Sequence, residues 1–72
     1  MPMSPLYAFE IVPWGYGWGV RVATGFGVPF QFVDTLDEAR NIAASMCRRN
    51  GQTRVSVLDH YGNTVDVQEI AA

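Results

Sequence analysis

TLDEARNIAASMCRRNG, residues 35–51, carries both the start and the stop signals of an amphipathic helix. Thr35 is a hydroxyl N-cap, and Glu38 three residues on completes a capping box. Gly51 stands where a left-handed stop belongs, just after Arg48 and Arg49, whose charges suit the C-terminal end of the helix dipole. At about 100° per residue, Leu36, Ala39, Ile42, Ala43, Met46 and Cys47 share one arc. Asp37, Glu38, Arg40, Asn41, Ser45, Arg48 and Arg49 share the other. A helix with a single apolar arc has to bury it against another layer. The flanking segments must therefore supply a sheet.

On the N-terminal side, WGVRVAT (18–24) alternates Trp18, Val20 and Val22 with Gly19, Arg21 and Ala23, the period of a half-buried strand. YAFEIV (7–12) pairs with it across the turn PWGYG. Setting Glu10 opposite Arg21 puts Ile11 against Val20, Phe9 against Val22 and Pro13 against Trp18. That register buries the large apolar groups and pairs opposite charges outside; a one-residue slip would push Glu10 into the core, at the cost of burying a charge. Gly25-Phe26-Gly27 fits a three-residue hairpin loop with Gly27 left-handed, bringing Phe30 and Phe32 inward opposite Val22 and Val20. Pro29 lacks an amide hydrogen, so this third strand is expected to lie at a sheet edge or to begin there.

On the C-terminal side, TRVSVLDHYGNTVDVQEI (53–70) reads as a closing hairpin with the loop His60-Tyr61-Gly62. It would place Val57 opposite Val65 and Val55 opposite Val67 on the inner face, leaving Arg54, Ser56, Leu58, Thr64, Asp66 and Gln68 outside. The expectation is an α+β domain of order β-β-β-α-β-β, one helix on one face of an antiparallel sheet. The expected strand order, numbered along the chain, is 4-5-1-2-3. The uncovered face would show Leu6, Ala8, Val12, Ala23, Val33 and Leu58 around the Arg21–Glu10 pair.

At 72 residues the chain is one domain, residues 1–72, with residues 1–5 expected to be disordered. Hydrophobic residues at 49% and charged residues at 17% exclude a wholly disordered chain, which needs the reverse balance. No apolar run approaches the ~20 residues of a membrane span. MPMSPLYAFE lacks the basic and apolar regions of a signal peptide. A single cysteine, Cys47, makes no internal disulfide, so the expected setting is a reducing cytoplasm. Residues 1–33 hold two charges, Glu10 and Arg21, but eight of the nine aromatics; the other ten charges and Tyr61 follow. A net charge of −2, with no lysine, is too small for a DNA mimic and gives no basic excess for nucleic-acid binding.

The residues yield no catalytic constellation. His60 beside Asp59 resembles an acid–base pair, but no nucleophile can be placed next to it, and it reads as a turn residue. Cys47, at the margin of the apolar arc, reads as a small buried hydrophobe. One Cys and one His cannot make an ordinary Cys/His zinc site. GYGWG (15–19) precedes a strand and has no following lysine, so it is not a phosphate loop. No cofactor is implied. Recognition residues remain: Trp14, Tyr16 and Phe26 sit in turns, where aromatics serve either as interface anchors or as lids on a small core. Arg40, Arg48, Arg49 and Arg54 form either a clamp for carboxylate or phosphate or a solvated helix face.

W-G-V-R-V at 18–22, D-T-x-D-E-A at 34–39, R-R-N-G at 48–51 and V-x-V-x-D-x-x-G at 55–62 resemble a family of short bacterial and phage proteins known only as a domain of unknown function. The likeness spans about residues 7–68, and its motifs are packing and turn signals, so it implies a fold and no activity. The aromatic PWGYGWG loop and the lack of lysine depart from it. In size and element order the chain is similar, more loosely, to small phage anti-CRISPR proteins, which occlude a nucleic-acid channel or a protein surface. The functional expectation is a non-enzymatic protein-interaction module. Its partner would be a larger protein or ribonucleoprotein complex, and its most concrete form an inhibitor of a host nucleic-acid-processing complex. The alternatives are a small nucleic-acid-binding protein using the arginines with stacking Tyr16 or Tyr61, and a structural subunit of a homo-oligomer. A homodimer through the open sheet face or an edge strand is expected, because so small a core gains from association.

Overall fold

A computed structural model describes residues 8–23 and 28–70. Its elements are β1 (Phe9–Trp14), β2 (Gly17–Val22), β3 (Gln31–Val33), α1 (Leu36–Asn50), β4 (Arg54–Leu58) and β5 (Thr64–Glu69). The α+β class and element order are as expected: one helix lies on one face of a five-stranded sheet. The helix ends are also as expected. The Thr35 hydroxyl accepts the Glu38 amide at 3.1 Å, and Gly51 closes the helix at φ 70°.

The β1–β2 register is the expected one throughout, with Glu10 opposite Arg21, Ile11 opposite Val20 and Pro13 opposite Trp18. Arg21 Nε donates to Glu10 Oε1 at 2.9 Å on the face away from the helix. On the helix face, Phe9, Ile11, Val20, Val55 and Val57 meet Ala39, Ala43, Ala44 and Cys47, with Ile70 completing the core. The alanines let the helix lie close to the sheet, and the strands supply the bulk.

Three expectations give way. The sheet is mixed, in order β3-β2-β1-β4-β5, because β4 joins β1 in parallel. A strand inside a sheet has neighbours along both edges, which bury its side chains more deeply than those of an edge strand. RVSVL buries Val55, Val57 and Leu58, whereas TVDVQE stays exposed along nearly its whole length, so the polar strand takes the edge.

In β3 the register is one residue off the expected one. Gln31 lies opposite Val20, Phe32 opposite Gly19 and Val33 opposite Trp18. Val33 therefore packs, half-buried, against the core, and Phe32 turns to the outer face, 53% exposed. Gly19 leaves room there, which Pro29 fills: a Cβ on Gly19 would lie 2.5 Å from the Pro29 ring. Phe30, 47% exposed, reaches only the rim of the core, edge-on to Phe9 with centroids 6.3 Å apart. The loop expected at Gly25–Gly27 falls outside the described residues.

In β5 the expected loop forms but the expected register does not. Asp59 and Asn63 bracket His60-Tyr61-Gly62, with Gly62 at φ 85°. Leu58 pairs with Thr64, but Val57 pairs with Asp66, so Val65 is an extra residue, a β-bulge. Beyond it each side chain changes face: Asp66 and Gln68 turn inward, opposite Val57 and Val55, and Val67 turns outward. The helix lies over β1 to β4, so apolar groups under β5 would find no cover. Arg40 spans the gap instead, donating to Asp66 Oδ2 at 2.9 Å and Gln68 Oε1 at 3.0 Å.

Candidate functional site

Parallel pairing of β1 with β4 has a consequence for function: the turns that follow them leave the sheet at the same end. After β1 comes a two-residue turn, Gly15-Tyr16, with Gly15 at φ 59°, the positive value that primed hairpin turns need. Gly17 then passes so close to β3 that an added Cβ would overlap the Val33 carbonyl oxygen and approach the Asp34 Cα. Tyr16 is thereby held at the tip of a short, fixed turn and is fully exposed. Beside it Trp14, 43% exposed, tilts against Phe32 on the outer face, with ring centroids 6.2 Å apart.

The turn after β4 is built by Asp59. Its Oδ1 accepts the amides of Tyr61 at 2.8 Å and Asn63 at 2.9 Å. These bonds, that from Asn63 foremost, hold the Asp59 carboxyl below its ordinary range. They also commit one Asp59 oxygen to the turn, although the carboxylate sits beside His60. Tyr61 is 89% exposed at this second tip.

Two clefts flank the tips. One, of about 370 Å³, is lined by Pro13, Tyr16, Trp18, Leu58, His60 and Val65. The other, of about 330 Å³, opens on the outer face, where Val12, Trp14, Arg21, Leu58 and Tyr61 line it. Together the turns and clefts make an aromatic end of the molecule.

The arginines lie elsewhere. The helix starts at the aromatic end, directly after β3, and runs back along the sheet. At 1.5 Å per residue, its 15 residues put Arg48 and Arg49 about 20 Å away, both exposed. Arg54, also at the far end, pairs with Glu69 at 3.1 Å, and Arg40 lies between the ends in its clasp with Asp66 and Gln68. The structure thus groups Trp14 with Tyr16 and separates both from Arg48, Arg49 and Arg54; Phe26 lies outside the described residues. The sequence pattern alone places Phe32 in the core and offers Tyr61 only as an alternative stacking partner. The choice of β4 as the neighbour of β1 is the signal that places Tyr61, whereas Phe32 turns outward through the β2–β3 register.

Cys47 is fully buried, its thiol donates to the Arg54 carbonyl at 3.6 Å, and burial pushes its pKa up, with Arg48 opposing weakly. Among the described residues no three His, Cys, Asp or Glu side chains gather to hold a metal, and no helix is long and apolar enough to cross a membrane. No family model, curated protein or solved structure matches this chain.

Proposed function

We propose that this chain is a non-catalytic protein-interaction module that docks a larger partner through its aromatic end. The observation that carries the reading is Tyr16: a tyrosine fully in water on a glycine-fixed turn contributes nothing to the core, yet it stands beside half-exposed Trp14 and across from Tyr61. Tyrosine and tryptophan presented rigidly lose little conformational freedom on binding and are preferred interface anchors. The looser likeness to anti-CRISPR proteins gives the reading its most concrete form, a small inhibitor occluding a host nucleic-acid-processing complex.

The nucleic-acid-binding alternative is less well supported. It needs several cations on the surface that carries the stacking rings; there Arg21 is paired with Glu10, and Arg48 and Arg49 lie a helix length from Tyr16 and Tyr61. Affinity capture from the native host under nuclease treatment, with wild type and Tyr16→Ala in parallel, tests the docking reading. A protein retained by wild type and lost by the variant, at unchanged melting temperature, is the expected result. Equal retention by both rejects it. Light scattering on the purified chain separates this use of the surface from self-association.

A further inference from the structure

The formal charge of the chain is distributed along its length in a way the net value of −2 conceals. Glu10 pairs with Arg21, Asp66 with Arg40 and Glu69 with Arg54. These pairs take six of the twelve charged side chains and cancel. What remains is Asp34, Asp37, Glu38 and Asp59 against Arg48 and Arg49. Asp34 follows β3 beside Gly17, Asp37 and Glu38 lie in the first turn of α1, and Asp59 opens the β4–β5 turn. All four are at the aromatic end, and the two arginines are at the other. Salt screens charge over about 8 Å under physiological conditions, so arginines about 20 Å away do not offset the acids locally. The aromatic end thus carries four carboxylates outside these ion pairs, spread across the strand ends, together with exposed ring faces.

Resting on the docking reading above, we propose that the segment this end receives is cationic: an arginine- or lysine-bearing stretch of a partner protein. Its charges would stack on Tyr16, Trp14 and Tyr61 and be drawn by carboxylates at the same end of the sheet, Asp59 in the turn that carries Tyr61 and Asp34 beside Gly17. Cations over aromatic faces are attracted by the ring quadrupole, and arginine adds planar stacking. The acids are too dispersed for a metal ion, since no three ligating side chains converge among the described residues. Two clefts on opposite sides of the turns are more than one small molecule can fill, and they suit a chain segment lying across the tips. A phosphate backbone would meet repulsion here.

Fluorescence anisotropy with labelled probes tests this on the full chain. The probes are a short glycine–arginine repeat peptide, matched glycine–aspartate and glycine–proline peptides, and a single-stranded oligonucleotide. The expected result is binding of the arginine peptide alone, weakening several-fold when salt is raised from about 50 to about 200 mM. Tyr16→Ala should weaken it about two- to fivefold, and Asp34→Asn with Asp37→Asn by a similar factor. Equal, salt-independent binding of the proline peptide overturns the cationic assignment while leaving the docking reading standing. Preference for the oligonucleotide, or no binding of any probe, overturns it too, and the Tyr16→Ala capture experiment then judges the docking reading separately. Self-association that Tyr16→Ala abolishes would make a second copy the occupant and likewise overturn it.

Discussion

The two hairpins of this molecule are alike in sequence grammar and opposite in how their registers are decided. In β1–β2 the pattern of large apolar residues fixes the pairing, because α1 lies directly above and any slip would drive Glu10 beneath it. In β4–β5 the same alternating pattern is overruled by a one-residue bulge, because β5 lies outside the cover of the helix's apolar arc and only the Arg40 side chain reaches its inner face. Hydrophobic alternation specifies register only where something covers the strand. Where cover ends, turn geometry and polar partners decide.

The largest expected effects follow from that contrast. Ile11→Ala, under the helix, should lose about 2–5 kcal/mol in chemical denaturation, whereas Val67→Ala, 45% exposed on β5, should stay within about 0.5 kcal/mol. Comparable losses would mean that β5 is covered after all. Gly19→Ala comes next. Its Cβ would meet the buried Pro29 ring, and about 1–3 kcal/mol is the usual cost of overpacking. If Gly19→Ala is neutral, Pro29 does not fill the space beside Gly19. Gly62→Ala places a side chain at φ 85° in the second turn and should cost about 1–2 kcal/mol, with the loss read as faster amide exchange confined to β4–β5.

The same contrast explains what was legible in the sequence. Thr35, Glu38 and Gly51 announce the helix because caps are local chemistry, and the Glu10–Arg21 register follows from burial alone. The loop His60-Tyr61-Gly62 was readable for a similar reason. The bulge at Val65 was not: nothing in TVDVQE shows that Arg40, 26 residues upstream of Asp66, would reach its carboxylate. The slip in β3 was hidden because Phe32 fits either face until Gly19 and Pro29 are seen to occupy one place. Parallel pairing of β1 with β4 depends on which of two valine-bearing strands carries more polar residues, and that comparison was open to the sequence. It decides the candidate site, since it sets Tyr61 beside Trp14 and Tyr16. The gathering of acids at that end could then have been read from sequence and topology together.

The smallest effect sharpens the comparison by pH. Both described carboxylates held below their ordinary range belong to the second hairpin. Asp66 is held there chiefly by the Arg40 hydrogen bond and Asp59 chiefly by the Asn63 amide. A carboxyl whose pKa is lower folded than unfolded contributes stability that is present above the unfolded value, about 3.9 for aspartate. That contribution is lost as pH falls through the lower, folded value. Acid should therefore loosen β4–β5 before β1–β2. Amide protection factors across Thr64–Glu69 should fall relative to those across Phe9–Val22 as pH is lowered from about 5 through the aspartate range. In Asp66→Asn the part of that fall due to Arg40 should be absent, because the variant has no carboxylate to protonate and is already loosened at neutral pH. Protection that declines in both hairpins together, or an Asp66→Asn chain as acid-sensitive as wild type, would show that the clasp at Arg40 does not hold the register of β5.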